Sequence, residues 1–220
     1  MTEIVAIDGP AGSGKSSVSK QVARELGFGY LDTGAAYRAL AWAVLQGDFE
    51  LANLAEVDLD ASFDYAISLD ADDFWVRVGV HDVTAAIREQ RVAEFVSQVA
   101  RIQTVRDFMK RLTHRLVAQS GRAGVVVEGR DITTVVAPDA KIRLLLTASE
   151  EVRLKRRSAE LSPQAAAEVH KQVSQRDRSD SKVVDFMTPA PGVTLVDSTD
   201  LNFVQTVAAV RELIERALGR

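Results

Sequence analysis

The run Gly9-Pro10-Ala11-Gly12-Ser13-Gly14-Lys15-Ser16-Ser17 opens with the spacing G-x-x-x-x-G-K-[ST], and that spacing suits the holding of a polyphosphate. Glycines let successive backbone N–H groups face one anion, and a helix starting at the end of the loop adds partial positive charge. Lys15 has the reach to meet the β- and γ-phosphates of a nucleoside triphosphate, while Ser16 supplies a hydroxyl for Mg2+. Average residue usage yields the four fixed positions by accident in roughly one chain of this length in a hundred, and the strand-to-helix context lowers that further. A bound triphosphate does not by itself say what is done with it. In a switch, water takes the γ-phosphoryl group; in a small-molecule kinase, a second pocket presents an acceptor oxygen in line with it. A guanine-nucleotide switch would carry an Asn-Lys-x-Asp base reader, which is absent. A kinase would carry arginines at the ends of neighbouring strands, and Arg38 and Arg130 stand there.

The elements that must position these groups follow from periodicity. Ile4, Val5 and Ile7 form a short buried strand, and Val18, Val22, Ala23 and Leu26 recur at helical spacing after the glycine loop. Tyr30 and Leu31 lie in a second strand, followed by a helix carrying Ala36, Leu40 and Val44. Val125 to Val127 read as a strand covered on both faces, Ile142 to Leu146 as another, and Val193 to Val196 as the last. Helices fall between them: one from Val105 to Leu116, one opened by Ser149, one by Ser162 and Pro163, and a closing one through Val204 and Ile214. Strands alternating with helices imply an α/β fold with a parallel sheet flanked by helices and its ligands at the strand C-terminal ends. Between 47 and 100 the rhythm breaks. Phe63, Tyr65, Ile67 and Leu69 alternate, Asp70 to Asp73 supply a turn, and Val76, Val78 and Val80 alternate again, as in an inserted antiparallel hairpin.

Composition bounds the rest. The 220 residues are 46% hydrophobic and 26% charged, close to an ordinary globular domain, and they include no cysteine, which removes thiolate metal sites and thiol catalysis. No apolar run approaches the roughly 20 residues of a membrane span, and the first nine residues lack the pattern of a secretion signal, so a cytoplasmic protein is expected. The net charge of −4 speaks against coating nucleic acid or an anionic membrane. Residues 1–100 hold 7 basic and 16 acidic side chains and residues 101–220 hold 20 and 15, so the surplus of guanidinium groups lies in the second half. His81, His114 and His170 show no metal-ligand spacing. Asp8 and Asp32 end strands beside the loop, where either could hold Mg2+ through water or, for Asp8, fix the loop backbone.

Several strings occur in one order: Ile7 to Ser17, Leu31-Asp32-Thr33-Gly34 with Tyr37-Arg38, Ser97-Gln98-Val99-Ala100, Val105-Arg106, Glu128-Gly129-Arg130-Asp131, and Arg176-Asp177 with Asp180-Ser181. In that order and spacing they resemble bacterial cytidylate kinases over nearly the whole chain. The resemblance implies a single P-loop kinase domain with a core at 1–46 and 101–220, a nucleoside-monophosphate-binding insert at about 47–100 and a lid at about 153–182. It implies transfer of a phosphoryl group from ATP with Mg2+ to CMP or dCMP, by a monomer with neither nucleic acid nor membrane as partner. It places Thr33, Tyr37, Arg38 and Arg130 around the acceptor phosphate, Ser97, Arg106 and Asp131 at the cytosine ring, Arg176 with Asp180 near the ribose and phosphate, and Gly129 among the CMP-binding residues. Arg153 and Arg157 would join the transferring group when the lid closes. Two positions depart from the family pattern: Val183 where an arginine is usual, and Thr134 where a glycine is common.

Each assignment has an ordinary alternative. Arg38 pairs with an acidic neighbour, Arg130 with Asp131 is an internal ion pair, Ser97 bonds its own helix, and Tyr37 packs. Arg106, Arg153 and Arg157 are solvated surface charges, and Arg176 with Asp180, four apart, is a surface pair. Whole-protein alternatives are a kinase for UMP or AMP, and a P-loop switch module that is not a kinase.

Overall fold

The structure, a computed structural model, describes residues 2–159 and 186–219. Five parallel strands make the central sheet in the order β2-β6-β1-β7-β8: β1 (Glu3–Asp8), β2 (Gly29–Asp32), β6 (Gly124–Gly129), β7 (Ile142–Thr147) and β8 (Thr194–Asp197). Alternate residues feed two cores. Ala6, Leu31, Val125 and Val127 face one side and Val5, Ile7, Tyr30 and Val126 the other, which is why β6 is an unbroken apolar run. Helices α1 (Lys15–Leu26) and α7 (Phe203–Leu218) cover the second side through Val18, Val22, Val207, Val210 and Ile214. Helices α2 (Thr33–Gln46) and α5 (Gln103–Gln119) cover the first through Ala35, Ala39, Val105 and Phe108. Asn202 and Gln205 form a capping box at the start of α7.

The insert is antiparallel as expected. It carries the short helix α3 (Leu59–Ser62) and the strands β3 (Tyr65–Ile67), β4 (Val76–Val78) and β5 (His81–Asp82), followed by helix α4 (Gln90–Ala100). Val80, read as part of the alternation, instead lies in the β4–β5 turn and is 92% exposed. Leu54, Phe63, Ile67, Val76, Val83, Ile87 and Val92 join the core of α2, α5 and the sheet face, so the insert is fused to the main body and has no separate core of its own. Its hairpin loop also grips the β2 edge and α1: Leu69 accepts from the Tyr30 N–H at 2.9 Å, and Asp72 pairs with Arg24 at 2.6 Å. Helix α6 (Glu150–Ala159) begins the expected lid. The helix expected at Ser162, and with it His170, Arg176, Asp180 and Val183, lies outside the described residues.

Candidate active site

The loop 9–14 joins β1 to α1 in a form that only small residues allow. A Cβ on Gly9 would stand 2.1 Å from the Leu146 carbonyl oxygen. Gly12 has φ +77° and would put a Cβ 2.6 Å from the Arg153 carbonyl oxygen. Gly14 caps α1 with no side-chain partner for the first N–H groups, which are left for an anion. The Ser13 hydroxyl is buried and has no partner among the described residues. These features fit a polyphosphate.

Lys15 lies 3.2 Å from one oxygen of Glu128, a buried carboxylate at the end of β6, and the other oxygen accepts from the Tyr30 hydroxyl. The Ser16 side chain also interacts with the Tyr30 hydroxyl. Hydroxyl and carboxylate oxygens are the ligands a hard cation prefers, so the donor set at Ser16 fits Mg2+. No group of three or more metal-ligating side chains occurs among the described residues. Asp8, expected at Mg2+ or its own loop, instead accepts from Ile132 N–H, Thr133 N–H and Thr133 Oγ1 at 2.9, 2.8 and 2.6 Å. It thereby ties β1 to Ile132–Val136, a wide turn whose Val136 N–H bonds the Asp131 carbonyl five residues back. Burial pushes the Asp8 carboxyl up, against these bonds.

Arg130, directly after β6, lies over the Phe186 ring at 4.3 Å and donates to the Gly9 carbonyl at 3.2 Å, so it touches the phosphate loop. Thr33 donates from Oγ1 to the Glu128 carbonyl at 2.8 Å, an approach that leaves Gly129 no room for a Cβ. Arg38 is paired with an acidic neighbour, Asp32, at 2.7 Å, both largely buried. Asp32 also caps α2 by accepting from the Ala35 N–H. Arg106 is not a free surface charge: it pairs with Asp131 at 3.0 Å, and both line a cleft with Thr33, Tyr37 and Gln103. Burial pushes the Asp131 carboxyl up despite Arg106, and burial also holds the Tyr37 phenol well above its ordinary value. Ser97 is half-buried on α4.

Arg153 is 5% exposed and donates to the Ala11 carbonyl at 2.8 Å, so its reading as an exposed surface charge fails. The Arg157 side chain lies outside the described residues. Arg156 holds the loop from outside, donating to the Ser13 carbonyl at 3.2 Å, the Ser198 hydroxyl at 2.9 Å and the Leu201 carbonyl at 3.1 Å. The residue pattern gives neither Glu128 nor Tyr30 a role of its own, and Arg156 belongs with Arg153 and Arg157 to the cluster after the Ile142 to Leu146 strand. An acid ending the apolar run Val125 to Val127 was the one available signal for Glu128.

The Asp32–Arg38 pair predicts an acid-dependent stability. Burial pushes the Asp32 carboxyl up, but Arg38 and Lys15 outweigh it and hold the group below the ordinary aspartate value. A depressed carboxyl contributes stability above its unfolded pKa and loses it as pH falls through the folded one. Arg38→Met should cost about 3 kcal/mol at pH 7 by leaving Asp32 without its guanidinium. Urea unfolding at several pH values should show that gap closing on acidification; a pH-independent gap contradicts the pairing.

Comparison with known proteins places the chain. The family model described as cytidylate kinase matches residues 5–216. A cytidylate kinase of Cutibacterium acnes is 45% identical over 214 residues, covering 96% of this chain and 95% of that protein. One from Mycobacterium leprae is 39% identical over 225 residues, covering 100% and 99%. The crystal structure of TT1252 from Thermus thermophilus shares the fold, with a TM-score of 0.52 at 18% identity over 98% of each chain.

Proposed function

Because the chain belongs to the cytidylate kinase family, we propose that it transfers the γ-phosphoryl group of ATP to CMP or dCMP, releasing ADP and CDP or dCDP. The observation that carries the site-level reading is adjacency. The phosphate loop follows β1, Arg130 follows the neighbouring β6, and Thr33 and Arg38 follow β2 beyond it, so a donor cradle and an acceptor cradle share one rim of the sheet.

An oxygen of the acceptor phosphate attacks the γ-phosphorus while the bond to the β-phosphate oxygen breaks and ADP leaves with the electron pair. The acceptor phosphate is mostly dianionic near pH 7, so no side chain has to remove a proton. Catalysis then consists of placement and charge stabilisation. Residues Gly9 to Ser17 and Lys15 hold the donor; Ser16 would hold Mg2+, which would supply positive charge against the triphosphate. Thr33, Tyr37, Arg38, Gly129 and Arg130 receive the acceptor phosphate, with Arg176 and Asp180 toward the ribose. Arg153 and Arg157 add positive charge on lid closure. The roles of the 47–100 insert and the 153–182 lid belong to the same proposal. The same proposal has the chain act as a monomer in the cytoplasm. Among the described residues no helix is long and apolar enough to cross a membrane.

The Arg106–Asp131 pair supports the choice of base, since it sets a donor beside an acceptor. Cytosine offers an N4 amine to the carboxylate and N3 to the guanidinium, with Ser97 assigned to O2. Uracil would set O4 against the carboxylate and N3–H against a donor. CMP should therefore exceed UMP by at least about tenfold in kcat/KM, about 1.4 kcal/mol. A coupled assay with ATP·Mg2+ and CMP, dCMP, UMP or AMP tests this. Equal use of CMP and UMP overturns the base pocket, and ATP hydrolysis indifferent to any acceptor overturns the kinase reading in favour of a switch.

A further inference from the structure

Glu128 is 2% exposed, and its two oxygens serve different partners, Tyr30 on one side and Lys15 on the other. Beyond the ion pair with Lys15, Glu128 Oε2 accepts no hydrogen bond among the described residues. Tyr30 is 1% exposed and its ring is held in place by Phe74 of the insert hairpin at 6.2 Å and by Lys20 Nζ at 5.3 Å. Burial and the nearby Glu128 and Asp32 carboxylates push its phenol well up, so it remains a donor. Phosphoryl transfer as derived above gives Tyr30 no task.

The donor reading requires Lys15 to turn from Glu128 to the phosphates. That movement leaves a buried carboxylate without this cation, which is costly unless other donors hold it. We propose that Tyr30 is a positioning residue for ATP capture: its hydroxyl holds Glu128 while Lys15 is away, and so sets how readily Lys15 exchanges the carboxylate for the phosphates. The inference rests on the proposed role of Lys15 as the grip on ATP.

Calorimetric titration of ATP in EDTA, so that no divalent cation stands in beside Glu128, tests it on the whole chain. Tyr30→Phe keeps the ring and should weaken ATP binding at least about tenfold, equivalent to about 1.4 kcal/mol, with CMP binding unchanged within about twofold. Glu128→Gln removes the charge that needs holding. In that background Tyr30→Phe should alter ATP affinity by no more than about threefold, since a bond to a neutral amide is worth less. A merely structural tyrosine would give the same loss in both backgrounds, and that result overturns the proposal, as does unchanged ATP affinity in Tyr30→Phe. If thermal melting shows that Tyr30→Phe does not fold, Glu128→Gln decides alone: ATP affinity at or above wild type supports the exchange, and weaker affinity overturns it. A wild-type protein that binds no ATP would sink the donor reading, and this inference with it.

Discussion

Replacing Lys15 with alanine should lower kcat by about a thousandfold, because removal of one preorganised charge from a developing phosphoryl transition state costs on that order. In the proposed mechanism the side chain brings a full positive charge to the β- and γ-oxygens. The ion pair adds a second effect. Glu128 loses the cation 3.2 Å from it, so the variant should also be less stable, by about 3 kcal/mol at most. The two losses separate in the double variant Lys15→Ala with Glu128→Gln. Melting temperature should return toward wild type because no buried charge is stranded, while turnover stays lost. Near-normal kcat in Lys15→Ala would contradict its role, and turnover restored by Glu128→Gln would mean that the loss was one of folding.

Arg130→Met should reduce kcat/KM for CMP by about a hundredfold, about 2.7 kcal/mol, with little change in the KM for ATP. The guanidinium stands over Phe186 and donates to the Gly9 carbonyl, so it lies against the phosphate loop and within reach of the proposed acceptor site. Methionine retains the contact with the ring while removing the fork that grips a phosphate. Arg130→Lys should recover only a small part of the loss, since a point charge does not reproduce two parallel donors. A kcat/KM for CMP within about threefold of wild type would remove Arg130 from the acceptor site.

The phosphate loop was readable from residues alone because its chemistry is local: glycines, a lysine and a hydroxyl within eight positions dictate backbone form and charge without help from distant chain. The same holds for the alternation of strands and helices and for the antiparallel insert, whose periods of two and 3.6 residues are properties of short segments. Arg38, Arg130, Arg106 and Asp131 were identifiable as polar groups at strand ends or by resemblance to a family, and an acidic neighbour was expected for Arg38, but the Arg106–Asp131 pairing was not. Arg106 meets Asp131 across 25 residues, Glu128 meets Tyr30 across 98, and Asp8 reaches Thr133 across 125. The same physical cause underlies all three contacts.

The amino-acid order by itself determined that this chain makes an α/β phosphate-binding fold with two sets of cationic groups at the sheet's rim. Only the tertiary structure decided which charges face which. Register across the β2-β6-β1 strands sets Asp32 opposite Glu128 and Asp8 one residue further along, opposite Gly129, and packing then excludes the water that would otherwise keep them independent. Once water is gone, each carboxylate must take the donor that the nearest helix or turn offers. That need assigns Lys15 to Glu128, Arg38 to Asp32 and Thr133 to Asp8.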